Sequence, residues 1–501
     1  MGAHHVNVIL SSIIWTPMLF AVVAMFLPER DDEQRGRVRT VALAGAGLSF
    51  FVSAFFAILG QIGLGQGGGL SSAYQESHAW FWTFLFHAYY DLTADGMTLP
   101  LLVVTTTIFG CVIFHSWKIH ERVRLYVILM LVLETAVNGV LCSADFVLFV
   151  AFWGLMLVPM YVLIRVYGGP GARRAAAWFA GFQGLAFVMI VATVAIIIIE
   201  AGNQSSDMVQ DLKSFSTPAE TIGFWMSFVA FAIAMAIFPV HTWMVEAQSK
   251  ASPGVAAILS GTMLLLGAYG MMRISLVVFP APAHYYSFAI TGLAVVGAFW
   301  GSIGALRQDE LRRFVAYMNV AQMSMVLLAI GAQTSVALVG AILLLAAHAF
   351  ASAMLTLISG GVEERTRTTS IRAMGGLVAQ APRLAGFWLF AALSVIGIPA
   401  LAGFTADFMV FSGSFPEHRI ATVLVMASVI ITTGGLLWVA NRVFFGPVRD
   451  QFARVRDVTL LDLTVLIPLV GAVLLFGIRP GAIIPIISNG VLEITTRIAG
   501  G

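Results

Sequence analysis

Glu134, His241, His348 and Asp407 sit inside long apolar runs, and Glu246, Arg273 and Asp145 lie nearer the ends of such runs. An ionisable side chain in hydrocarbon is costly, so each of the first four is a functional hypothesis by default. Histidine exchanges protons near neutral pH. Burial moves a carboxyl group into the same range. Groups of these two kinds, bridged by water, would form a path for protons.

Each candidate also has a structural reading. His241 follows Pro239 in Phe238-Pro239-Val240-His241, where a histidine can satisfy a carbonyl freed by the proline. Asp407 follows the proline-broken stretch Ile398-Pro399-Ala400-Leu401, where an acid can cap the helix that restarts. His348 has Ala346, Ala347 and Ala349 beside it, which leaves room for water. Glu134 can instead hydrogen-bond a neighbouring helix. Arg273 is expected to snorkel to the membrane surface.

The elements that must position these groups are transmembrane helices. The 501-residue chain is 59% hydrophobic and 10% charged, against about 25% charged residues in soluble domains. Apolar runs recur near 6–27, 40–63, 97–115, 124–143, 146–168, 174–200, 222–239, 253–278, 285–306, 311–331, 335–359, 384–414, 419–445 and 459–478. Each is long enough to cross a bilayer as a helix, and only helices or closed barrels satisfy their backbone there. The expected fold is therefore an all-α integral membrane protein of about 14 helices. The first run lacks a basic leader and a cleavage site, so it reads as a retained helix.

Charge placement orients the bundle. With fourteen spans, 22 of the 27 basic residues fall on one side, 4 on the other and Arg273 at a span end. Basic residues stay on the cytoplasmic side, which places both termini outside. The longest outer connection lies near 64–95, and a second, polar one near 201–221. The first opens with Gly65-Gln66-Gly67-Gly68-Gly69 and continues with Trp80-Phe81-Trp82 and Tyr89-Tyr90, aromatics suited to an interface.

Pro239 and Pro399 interrupt the seventh and twelfth spans, five apart. Proline removes a helical hydrogen bond and clashes with the preceding turn. Paired breaks point to two inverted five-helix repeats with ion sites near the midplane. The chain then divides, within a single polytopic domain over 1–501, into 1–115, 116–278 (helices 4–8), 279–446 (helices 9–13) and 447–501. Cys111 and Cys142 show neither metal spacing nor a disulfide framework. No nucleotide loop, cofactor-ligand set or nucleophile triad is present, so no cofactor is expected in this chain.

Several motifs, in order, carry a family resemblance: Asp95-Gly96-Met97-Thr98-Leu99-Pro100, Phe152-Trp153-Gly154-Leu155-Met156-Leu157-Val158-Pro159-Met160-Tyr161, Pro239-Val240-His241-Thr242-Trp243, Gly267-Ala268-Tyr269-Gly270, Gln308–Arg313, Ala373-Met374-Gly375-Gly376-Leu377 and Asp407-Phe408-Met409. They resemble the antiporter-like membrane subunits of respiratory complex I, of the chain M or chain 4 type. The resemblance spans about 95–446. It implies proton translocation through a glutamate in the fifth span, lysines in the seventh and eighth, a histidine in the eleventh and an acid or lysine in the twelfth. The matching positions here are Gly154, Ala234, Leu265, His348 and Asp407. Thus the pair and the central lysine are missing, while the distal half remains. The family's Pro-Asp-Ala-His becomes Val245-Glu246-Ala247-Gln248.

The resemblance implies a subunit of an NADH:quinone oxidoreductase in the plasma membrane of a cell. Its partners would be lipids and other membrane-arm subunits, including neighbouring antiporter-like ones, and not nucleic acid. No redox chemistry would belong to this chain alone, and its own proton channel would be degenerate. The alternatives are a subunit of a multisubunit cation/proton antiporter or membrane-bound hydrogenase, and a stand-alone secondary transporter.

Overall fold

The computed structural model describes residues 9–65, 74–82, 87–200, 208 and 216–500. The glycine-rich stretch at 66–69, the side chains of Trp80-Phe81-Trp82 and most of the second outer connection lie outside the described residues.

The apolar runs form helices. Among the described residues, twelve helices are long and apolar enough to cross a membrane. They match twelve of the fourteen expected spans. The other two are α1, Ile9–Met25, and a broken pair, α15, Pro382–Ile396, and α16, Ala402–Ser414. The first four long helices after α1 are α2 (Asp32–Gly65), α3 (Thr98–His115), α4 (Val123–Cys142) and α5 (Phe146–Tyr167). They are followed by α6 (Ala172–Glu200) and α7 (Thr217–Ala234). Short α8 (Thr242–Lys250) leads into the eighth span, Pro253–Leu276. That span contains α9 (Pro253–Ile258), α10 (Leu264–Gly270) and two π-helical segments, Leu259–Met263 and Met271–Leu276. After the one-turn α11 (Pro280–Tyr285) come α12 (Ser287–Leu306), α13 (Leu311–Ala332) and α14 (Ser335–Thr366). The chain ends with α17 (Arg419–Val439), α18 (Leu460–Ile478) and α19 (Ile484–Gly500).

The first outer connection is more ordered than its composition suggests. Strands β1 (Tyr74–Trp82) and β2 (His87–Ala94) pair antiparallel into a hairpin. Polar contacts anchor it to α1. Ser11 binds Glu76 through its backbone N–H and its hydroxyl, and Trp15 Nε1 donates to Tyr90 Oη at 2.7 Å.

Both prolines break their helices. After Ala234 the chain leaves the helix through Ala236, at φ 56°, and restarts at Thr242. After Ile396 it turns through Gly397 (φ 80°) and Ala400 (φ 77°) and restarts at Ala402. A break inside a membrane frees backbone groups that need partners. At the first, Trp243 Nε1 donates to Ile233 O at 2.8 Å. At the second, Gln322 Nε2 donates to Val395 O at 3.3 Å.

Connections assigned to the basic side meet one another in space. Lys118 reaches both Glu364, at 3.3 Å, and Asp462, at 2.8 Å. Arg365 binds Asp462 at 2.6 Å, and Arg313 pairs with Glu246. These contacts join the ends of α3, α8, α13, α14 and α18. They require those ends to lie together, as the alternation of fourteen spans demands.

Candidate functional site

His241 is the residue before α8, placed there by the break. It is 3% exposed and lies among the rings of Phe238, Trp300 and Tyr317. Trp300 Nε1 donates to His241 Nε2 at 3.2 Å. An indole N–H is a donor only, so that imidazole nitrogen carries a lone pair in this arrangement. The carbonyl at Ile233 is bound by Trp243, while the His241 ring lies against the backbone of Pro239 inside the break.

His348 lies mid-way along α14 and is 4% exposed. Neither ring nitrogen makes a hydrogen bond. Asp407 lies in α16, six residues after its cap position, Leu401, so it is not the cap. Its Oδ1 is buried without a partner. The carboxylate fits over the break: a Cβ added to Gly397 would stand 2.7 Å from Asp407 Oδ2. Glycine is thus required there both by φ and by space. Helices α14 and α16 pack along each other, which places His348 and Asp407 on adjoining elements.

Glu134 is fully buried on α4 with both carboxyl oxygens unpartnered. One turn on, Asn138 Nδ2 donates to Ile13 O at 3.3 Å and Ser49 Oγ at 3.2 Å. The four candidates therefore occupy four separate elements.

The remaining charges have structural partners. Asp145 caps α5, accepting from Val147 N and Leu148 N. Arg273 corrects an expectation: it does not snorkel. Its guanidinium pairs with Asp95, and its Nε donates to Tyr269 Oη at 3.3 Å. Both ion-pair side chains are 12% exposed. A carboxylate within reach holds the guanidinium inside the fold. Asp95 also caps α3, accepting from Met97 N at 3.0 Å and Thr98 N at 2.9 Å.

At the positions where the resemblance places charges, the fold is closely packed. A Cβ on Gly154 would stand 3.0 Å from the Phe187 ring. Ala234 and Leu265 are each 2% exposed. A Cβ on Gly267 would lie 2.5 Å from Met235 N, so the seventh and eighth spans touch backbone to backbone. Trp153, the neighbouring residue, packs its ring on Phe149 (5.4 Å) and Phe231 (5.6 Å).

Sequence reasoning missed a second polar cluster. Gln248, Asn319, Ser260, Ser352 and Thr356 are all buried and hydrogen-bonded to one another. Nothing in their types sets them apart from ordinary polar residues, and their separations along the chain hide the contacts. The one usable signal was Gln248, which replaces a histidine of the family pattern. Among the described residues, no three His, Cys, Asp or Glu side chains are grouped to hold a metal.

Comparison with known proteins places this architecture. Residues 143–432 match the family described as NADH:quinone oxidoreductase/Mrp antiporter, transmembrane. NADH-quinone oxidoreductase subunit M of Rhodobacter capsulatus is 30% identical over 435 residues, covering 84% of each chain. NAD(P)H-quinone oxidoreductase chain 4 2 of Thermosynechococcus vestitus is 29% identical over 487 residues, covering 96% of this chain and 90% of its own. The fold is shared with a chain of respiratory complex I from Thermus thermophilus, at a TM-score of 0.85, 23% identity and coverage of 98% and 100%. It is also shared with a chain of the Mrp complex from Dietzia sp. DQ12-45-1b, at a TM-score of 0.83, 20% identity and coverage of 97% and 98%. This chain belongs to the NADH:quinone oxidoreductase/Mrp antiporter family of transmembrane subunits.

Proposed function

We propose that the chain is an antiporter-like core subunit in the membrane arm of a complex I-type NADH:quinone oxidoreductase, and that its own proton channel is degenerate. It completes the arm and passes conformational or electrostatic coupling between neighbouring antiporter-like subunits. One observation carries the degenerate reading. Gly154, Ala234 and Leu265 cannot ionise, the Phe187 ring stands against Gly154, and Ala234 and Leu265 are each 2% exposed. Replacing both members of a buried ion pair by apolar groups is often neutral, whereas removing one is strongly destabilising. Joint loss is therefore the permitted route. Glu134, His241, His348 and Asp407 remain as proton-path candidates, separated by the dry region, since apolar space tends to stay empty of water.

The test is proton uptake and quinone reduction measured in the same vesicles. His348→Ala and Asp407→Ala, with the complex assembled, are expected to leave the proton-to-electron ratio unchanged. A fall in either variant would show that the chain still pumps by another route.

The Mrp-like likeness leaves a second reading, a subunit of a cation/proton antiporter assembly. Copurifying subunits decide between them: quinone-site and iron–sulfur subunits favour the first, cation-antiporter subunits the second. In either assembly the two five-helix repeats, helices 4–8 and 9–13, would be inverted copies around the breaks.

The orientation is also part of the proposal. Both termini face outside the plasma membrane, and the connections holding Arg30–Arg39 and Glu363–Arg372 face the cytoplasm. Single cysteines in these connections are expected to resist an impermeant thiol reagent added to intact cells. Labelling at 30–39 from outside would overturn the orientation.

A further inference from the structure

Gln248 sits at the end of α8, the nine-residue helix that follows the first break. Its amide is 1% exposed and is bound on both sides. Asn319 Nδ2, on α13, donates to Gln248 Oε1 at 2.8 Å. Gln248 Nε2 donates to Thr356 Oγ1, on α14, at 2.9 Å. Ser352 Oγ, one turn before Thr356, donates to Asn319 Oδ1 at 2.8 Å. Thr356 Oγ1 in turn meets Ser260 Oγ at 3.3 Å, within the first π-helical segment. Five buried side chains thus tie α8 and the eighth span to α13 and α14. The same end of α8 is fixed through its backbone, because Arg312 on α13 donates to Gln248 O at 2.9 Å and to Ala251 O.

We propose that Gln248 is the hub of a clamp that passes conformational coupling from the first broken helix to α13 and α14 while relaying no proton. This rests on the passive-subunit reading above and names the residues that do its work.

The chemistry of the chain of contacts excludes a relay. A relay member must accept one proton and release another. Hydroxyl, imidazole and carboxyl groups do this. An amide has fixed N–H donors and a separate carbonyl acceptor, so a proton hop through it needs the unfavourable imidic form. Two consecutive members, Asn319 and Gln248, are amides. The cluster approaches a proton-path candidate, since Ser352 lies four residues from His348 and so on the same face of α14. It stops there, at two groups that conduct no protons.

The chemistry also favours rigid transmission. Every member is buried, so no water competes for these bonds, and a buried donor or acceptor left unpaired is expensive. Movement of α8 about the break at 235–241 must therefore carry α13 and α14 with it or break several bonds at once.

The experiment uses the assembled complex in vesicles, with proton uptake and quinone reduction read together. Gln248→Leu removes both amide bonds at nearly constant volume. It is expected to lower the proton-to-electron ratio while quinone reduction continues. Asn319→Leu is expected to do the same, and the double variant to lose no more than the larger single loss, because both act through one network. If neither leucine variant assembles, Ser352→Ala removes a single outer bond and is expected to give a smaller fall. An unchanged ratio in the variants that assemble would overturn the clamp. A fall in His348→Ala would instead overturn the passive-channel reading, so the two failures are distinguishable.

Discussion

Arg273→Ala destabilises the folded protein by about 3–5 kcal/mol, the typical cost of removing one partner from a buried ion pair. Arg273 pairs with Asp95 across 178 residues of sequence, and both side chains are 12% exposed. With the guanidinium gone, the Asp95 carboxylate stays inside, held by Met97 N and Thr98 N at the start of α3. Those bonds fix its position but do not neutralise it. Removing both charges restores most of the loss: Asp95→Asn keeps a cap acceptor, so Asp95→Asn/Arg273→Gln is expected to be far closer to the parent than Arg273→Ala. Thermal denaturation of the purified assembly measures both. An Arg273→Ala midpoint equal to the parent's would show that the pair contributes nothing.

The same pair fixes the sign of a pH effect. Burial alone would raise the Asp95 pKa, but the Arg273 charge and the Thr98 hydrogen bond outweigh it and hold the carboxyl below the usual aspartate range. A depressed folded-state pKa contributes stability that is fully present above the ordinary aspartate value. That contribution is lost as pH falls through the depressed value. Acid lability on that side should therefore shrink in the Asp95→Asn/Arg273→Gln protein.

What the sequence revealed follows from how strongly each constraint writes itself into local residues. A bilayer demands long apolar runs, so the spans were legible. Proline cannot be hidden in a helix, so both breaks were legible at Pro239 and Pro399. Long-range pairing leaves no local trace. Arg273 looked like a snorkelling residue because its partner lies 178 positions away. The contacts of the Gln248 cluster were hidden for the same reason, spread over three parts of the chain. Roles that depend on one turn of register were not separated by type alone. Asp145 is a helix cap and Asp407 is not, although either fits a cap by type and neighbourhood. The hairpin at Tyr74–Ala94 was obscured by its position after a glycine-rich stretch.

The missing charges cannot simply be put back. Gly154→Glu is expected to destabilise the protein by about 3 kcal/mol, the order of an ionisable residue placed at the centre of a membrane helix. Volume alone does not account for it. A Cβ at this position meets only the end of the Phe187 ring, at 3.0 Å, so a shift of a few tenths of an ångström accommodates Gly154→Ala. The carboxyl group is the difficulty. Ala234 and Leu265 offer no counter-charge. Adding Ala234→Lys places a long side chain at a position only 2% exposed, so the pair is not restored freely. On the degenerate reading proposed above, a single restored charge does not rebuild the channel. Assembly yield and thermal midpoint of Gly154→Ala against Gly154→Glu separate size from charge. If Gly154→Glu assembles like the parent and raises the proton-to-electron ratio, the position still opens onto a working path and the degenerate reading fails.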